Sequence, residues 1–138
     1  MIVIADATPL NYLVLIGHSD ILPTLFDQVL IPSAVMSELE RPRTPEIVRA
    51  WIATPPAWLQ VRSVRNPQTG GLEHLGAGER EAIFLAEELN AEWLIMDDYD
   101  GRKEAVRRSL RVIGTLRVLD EAADRGLINL PEAVRRLQ

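Results

Sequence analysis

The chain has 138 residues, 47% of them hydrophobic and 25% charged, the size and composition of one folded domain with a single core. It has no cysteine and only two histidines, His18 and His74, which excludes disulfides, thiolate chemistry and a Cys/His zinc site. A net charge of −5 argues against a protein that coats nucleic acid indiscriminately, but allows an enzyme whose cleft carries acidic metal ligands.

The apolar, β-branched run Ile2 to Ala5 reads as a buried strand, with Asp6 directly after it. Thr8 as N-cap and Pro9 at the first helical position predict a helix closed by Gly17. Ser19 or Asp20 can cap a short second helix through Phe26. Gln28 to Ile31 is a second strand, and Pro32 opens a helix in which Val35 and Leu39 share a face. Thr44 and Pro45 repeat the cap-plus-proline signature before EIVRAWI; TPPAW breaks that helix and WLQV is a short strand. The segment RNPQTGGLEHLGAG is rich in Gly, Pro and polar residues and reads as a long loop, a lid or a functional loop. EREAIFLAEEL is a helix with Ala82, Ile83, Ala86 and Leu89 on one stripe. WLIM is another buried strand, followed by a basic amphipathic helix from about Tyr99 to Leu110. RVI is a short strand, GTLRVLDEAADRG a helix ending at Gly126, and Pro131 starts a last helix.

Strands alternate with helices, which implies a doubly wound α/β/α sandwich around a central parallel sheet. One domain spans residues 1–138, with a C-terminal helical extension from about residue 127. No apolar run approaches the roughly 20 residues of a membrane span, and the N-terminus lacks a basic signal-peptide start, so a cytoplasmic location is expected.

In such a sheet the ligand site lies beyond the carboxyl ends of the strands. Asp6 follows the first strand, and Asp97 and Asp98 follow WLIM, so all three belong to one rim. Glu79 precedes Ala82 by three residues and Ile83 by four, which places it on the inward face of its helix. A carboxylate there is costly unless paired, although the helix macrodipole alone offsets roughly 0.3–1 kcal/mol. Glu38 lies beside the buried stripe of Val35 and Leu39. Asp100 is the natural cap of the helix that follows; Glu40, Asp120, Asp124 and the EREAIFLAEEL acids other than Glu79 read as solvated, and Trp51, Trp58 and Trp93 as packing residues. Converging carboxylates without Cys or His suit Mg²⁺ or Mn²⁺. Two such ions about 4 Å apart can activate water and stabilise both oxygens of an in-line phosphodiester displacement.

The segments IADATPL, LIPSAVMSEL, GAGEREAIFLA, LIMDDYDGRKEA and IGTLRVLDEA, in this order and reaching about Gly126, resemble a PIN domain of the branch that includes the toxins of VapBC-type toxin–antitoxin pairs. The resemblance implies a small doubly wound α/β fold and metal-dependent cleavage of RNA. It implies an acidic quartet: Asp6, Glu38, Glu79 and a fourth acid, Asp98 or its neighbour Asp97, with Asp98 favoured. Thr8 stands where relatives have a Ser or Thr that helps hold the first acid and its metal shell. Met96 stands where many relatives have Thr or Ser. A homodimer and a small cognate antitoxin, whose C-terminal segment blocks the acidic cleft, are further implications. Arg102, Lys103 and Arg107 on the basic helix can meet RNA phosphates or an acidic partner; a charge run on a helix is, however, more often simply a solvated face.

Two other readings compete. DDYDG contains a D-x-D-G unit like that of haloacid-dehalogenase-type phosphatases, which form an aspartyl phosphate, but there the motif ends the first strand and much more chain follows it. The other is a catalytically weak or inactive PIN-like scaffold that serves as a binding module; the Met96 departure and the acidic net charge are its motivation.

Overall fold

The computed structural model describes residues 1–65 and 72–138. Strands β1 (Ile2–Ala5), β2 (Gln28–Pro32), β3 (Leu59–Arg62), β4 (Trp93–Ile95) and β5 (Val112–Ile113) form a sheet in the order β3-β2-β1-β4-β5, each neighbouring pair parallel. The helices are α1 (Ala7–Leu15), α2 (Ile21–Phe26), α3 (Ser33–Leu39), α4 (Glu46–Ala53), α5 (Ala77–Leu89), α6 (Tyr99–Arg107), α7 (Thr115–Asp124) and α8 (Leu130–Leu137). This is the doubly wound α/β architecture that the alternation of elements predicts.

A parallel sheet buried on both faces needs strands that are apolar at every position. Here Val3, Ala5, Val29, Ile31 and Ile95 face one core, shared with side chains of α1–α4, α7 and α8. Ile4, Leu30 and Leu94 face a second core with Ile83 and Leu85 of α5 and Ala105 of α6. Chain order runs outward from β1 to β3, then returns across to β4 on the other side of β1. The switch point therefore lies between β1 and β4, where a crevice opens beyond the carboxyl ends of the strands. The ladder pairs Ala5 with Ile95, and the backbone N–H of Asp6 continues it to the Ile95 carbonyl at 2.9 Å.

Several element boundaries differ from the sequence expectation, each for a local reason. Asp6, not Thr8, is the residue before α1, and Thr8 and Pro9 fall within its first turn. The first four helical N–H groups have no intrahelical partner, so a proline there forfeits no bond. Pro32 ends β2 rather than opening α3. Thr44 makes no cap for α4; its hydroxyl donates to the Glu38 carbonyl at 2.8 Å. Asp98, not Asp100, caps α6 by accepting the Gly101 N–H at 2.8 Å. The lid expected over 65–78 rests partly on residues 66–71, which lie outside the described residues; from there Leu72 and Leu75 are buried in the second core.

The C-terminal helix packs onto the domain: Ala133 is buried against the first core, and an Arg136 guanidinium N–H donates to the Ile16 carbonyl at 2.9 Å. Among the described residues no helix is long and apolar enough to cross a membrane.

Ile83 is fully buried and Ile47 is 59% exposed. Ile83→Ala should cost about 2–5 kcal/mol in urea denaturation, whereas Ile47→Ala should stay within about 0.5 kcal/mol.

Candidate active site

Asp6 leaves the central strand at the switch point and is only 3% exposed. Burial raises its carboxyl from 3.8 to about 7; the Ala7 N–H opposes the shift, and the negative fields of Glu79, Glu38 and Asp98 add to it. Those three residues come from α3, α5 and the end of β4, far apart in sequence, yet each acts on Asp6. Glu79 is half-buried, and its carboxyl is likewise raised, first by burial and then by Asp98 and Glu38, against the N–H of Gly76. Asp6, Glu38, Glu79 and Asp98 thus share one electrostatic neighbourhood.

Gly78 shows how closely two of them approach. A β-carbon there would stand 3.3 Å from Glu38 Oε1 and 3.5 Å from Asp6 Oδ1. The first turn of α5 lies against both carboxylates, and the missing side chain leaves them room. The signal in the sequence is the second glycine of GAG, which carries no chemistry of its own and is easily passed over.

The other placements are equally specific. Asp97 Oδ1 accepts the Thr115 N–H at 2.7 Å and Oδ2 accepts the Thr115 hydroxyl at 2.5 Å. Both of its oxygens therefore serve the start of α7. Asp98 is exposed, directs one oxygen to the Gly101 N–H and lies within the field of Asp6 and Glu79. Thr8 is exposed on α1 and shares a cleft with Glu38. Met96 is fully buried in the second core, where it packs under Gly101, so its thioether is a packing group.

The basic helix is less available than its sequence suggests. Arg102 donates to the Met96 carbonyl at 3.2 Å. Arg107 and Arg108 both bond Glu104 and hold its carboxyl well below the usual range. Lys103 remains exposed.

Glu81, expected on a solvated face, instead accepts the Ala34 N–H at 3.0 Å. This satisfies an N–H that the start of α3 leaves without an intrahelical partner and ties α3, with its Glu38, to α5.

The donor set consists of carboxylate oxygens, as a hard divalent cation requires, and among the described residues the buried Asp6 carboxyl has no cationic partner. In donor chemistry these residues fit such an ion. As positioned, no three of the acids among the described residues are grouped closely enough to hold one ion. Glu79 and Asp98 each turn one oxygen to a backbone N–H at a helix start, 2.8 Å away in both cases.

A family model described as "DUF3368: PIN domain" matches residues 2–138. The chain belongs to the PIN-domain family. PIN domains are in general nucleases and typically use divalent metal ions. The fold of this PIN domain is similar to that of a PilT N-terminus domain protein from the hyperthermophilic archaeon Sulfolobus solfataricus P2, with a TM-score of 0.62 and 21% identity over 88% of this chain and 93% of that one. That likeness is one of fold. No curated protein matches this chain.

The Asp6 carboxyl gives the fold a pH signature. Its folded pKa lies above the unfolded value, so between about 4 and about 7 the unfolded state loses the proton first. Stability declines as pH rises through that window and levels off above it. In chelator, Asp6→Asn should therefore gain stability over wild type at pH 8, by about 1–4 kcal/mol, and the gain should shrink toward pH 4. Urea denaturation across pH measures it; an equal gain at both ends would contradict the assignment.

Proposed function

We propose that this PIN domain is a Mg²⁺- or Mn²⁺-dependent endoribonuclease acting in the cytoplasm, the toxin of a toxin–antitoxin pair. The observation that carries the proposal is the set of Glu38, Glu79 and Asp98 gathered in the field of a buried, charge-starved Asp6. The resemblance of five segments to VapBC-type toxins supports RNA as the substrate, a homodimer as the assembly and a small antitoxin as the partner.

Asp6, Glu38, Glu79 and Asp98 are the residues that would hold the ions, with Asp97 bound instead to Thr115. When bound, the ions supply the Lewis acidity that activates water and stabilises both oxygens of the displaced phosphodiester. With its pKa raised to about 7, Asp6 is partly protonated near neutral pH and would have to lose that proton to hold an ion, so affinity for the ion should rise with pH. Thr8, two residues after Asp6, lines the cleft beside Glu38 and offers a hydroxyl there.

One observation favours the alternative of a weak or inactive binding module. Glu79 and Asp98 are both turned to local backbone donors. Each must present its second oxygen, or release the first, to serve as a ligand. The aspartyl-phosphate alternative has less support, because the first acid of its D-x-D-G unit, Asp98, follows the fourth strand rather than the first and turns one oxygen to the Gly101 N–H.

The test is cleavage of cellular RNA, with and without chelator, by wild type, Asp6→Asn, Asp98→Asn and Asp97→Asn. Asn caps helices about as well as Asp, so Asp98→Asn keeps the α6 cap and isolates the charge. Asp6→Asn and Asp98→Asn should each lower cleavage by at least the ~10–100-fold that even outer-shell partners of a metal are worth. Asp97→Asn should retain most of it. Cleavage that survives chelator and Asp6→Asn would overturn the proposal; metal binding by calorimetry without cleavage of any cellular RNA would favour the binding module.

A further inference from the structure

A second feature adjoins the acidic cluster and shares Glu38 and Thr8 with it. Beside Glu38 lies a cleft of about 290 Å³, lined among others by Thr8, Asn11, Arg41, Arg43 and Thr44. Its size is at the lower end of the ~300–1,000 Å³ of small-ligand sites. It suits one sugar–phosphate unit better than a helix of a partner. We propose that this cleft is a backbone-phosphate subsite, in which Arg41 and Arg43 hold single-stranded RNA one step away from the acids. The inference rests on the nuclease reading and names where its substrate is held.

Three observations point to it. First, the two guanidinium groups have no hydrogen-bond or ion-pair partner among the described residues, although Glu38 and Glu40 are close in sequence. Glu38 directs its carboxylate toward Gly78 and Asp6 instead. Second, the turn carrying both arginines is fastened to the backbone of the acid itself. The Arg41 N–H and the Thr44 hydroxyl both donate to the Glu38 carbonyl, at 3.3 Å and 2.8 Å. The Thr44 N–H closes the turn on the Arg41 carbonyl at 3.0 Å, and Arg49 Nε donates to the Thr44 carbonyl at 3.0 Å. The backbone of the turn that carries the arginines is therefore tied to that of Glu38, and a fixed anchor point is what positioning a scissile bond demands.

Third, the charge balance calls for such anchors. A chain of net charge −5 with its acids gathered in one cleft repels a polyanion unless cations flank that cleft. Of the cations that the basic helix offers for this task, Arg102 and Arg107 are bound to Met96 and Glu104, which leaves Lys103 exposed there. Opposite the arginines, Thr8 and Asn11 lie three residues apart on one face of α1 and add uncharged donors to the cleft. These are groups that can meet phosphate or a ribose hydroxyl.

Phosphate contacts are independent of base sequence, so a labelled mixed-sequence single-stranded RNA pool serves as probe. Binding is read by fluorescence anisotropy in the Asp6→Asn background at several salt concentrations, alone and with Arg41→Ala plus Arg43→Ala. The control is Arg135→Ala, an exposed arginine on α8. The double variant should bind about tenfold more weakly per arginine, and its log–log salt slope should flatten by about 0.7 per arginine. In the otherwise wild-type enzyme the same pair should raise KM and leave kcat nearly unchanged. Arg135→Ala should change neither. Unchanged RNA affinity and slope in the double variant would overturn the subsite, even with cleavage intact. So would unchanged RNA binding coupled to lost binding of polyglutamate, which would make the cleft a dock for an acidic protein segment. Arginine-dependent RNA binding by a chain that cleaves no RNA would instead overturn the nuclease reading and leave the subsite standing.

Discussion

The constraint on which the site depends is the burial of one carboxylate at the end of the central strand. Asp6 emerges from β1 with its N–H still in the ladder to β4, so its backbone position is as fixed as that of the core. Its side chain has no freedom to escape to water. Placing a carboxyl there costs free energy in proportion to its raised pKa, and the surrounding acids raise the cost further. No packing requirement calls for such a group; an apolar residue would serve the sheet better. The fold carries a local destabilisation that a bound cation would relieve, the usual relation between stability and function at a preorganised site.

Around that fixed point, each further acid is delivered by a different device. Glu38 comes from α3, which Glu81 holds to α5 through the Ala34 N–H. Glu79 comes from the first turn of α5, where the neighbouring Gly78 lies against Glu38 and Asp6. Asp98 comes from the end of β4, where capping α6 settles the local backbone. Asp97, one residue earlier, faces the other way and fastens α7 through Thr115. Two adjacent aspartates thus divide between an electrostatic and a structural task according to which helix start each one meets.

Much of this was legible in the sequence. The alternation of apolar runs with amphipathic stretches is enough for a parallel sheet covered on both faces, and the acids that follow strands fall on its ligand-binding rim. The inward position of Glu79 follows from helical spacing. What resisted sequence reasoning was local competition for backbone donors. Asp98 and Asp100 are both chemically capable of capping α6; Asp98 has the extended backbone of a cap, whereas Asp100 already lies inside the first turn. Thr8 and Thr44 each precede a proline and look like caps, yet proline is tolerated throughout the first turn, so the true start lies elsewhere. Glu81 reads as solvated because its partner, the Ala34 N–H, lies 47 residues away. Arg41 and Arg43 carry no periodic signal, since they sit on a turn; their relation to Glu38 is made by hydrogen bonds to its carbonyl.

The central claim is that the neighbourhood of Asp6 is a cation site built from Asp6, Glu38, Glu79 and Asp98. A crystal soaked in Mn²⁺ and measured at the manganese absorption edge tests it most directly. An anomalous peak is expected at the switch point, within bonding distance of Asp6 and at least one of Glu38, Glu79 and Asp98, with Asp97 still bound to Thr115. A peak bound by Asp97 alone, or no peak beside Asp6, would contradict the claim.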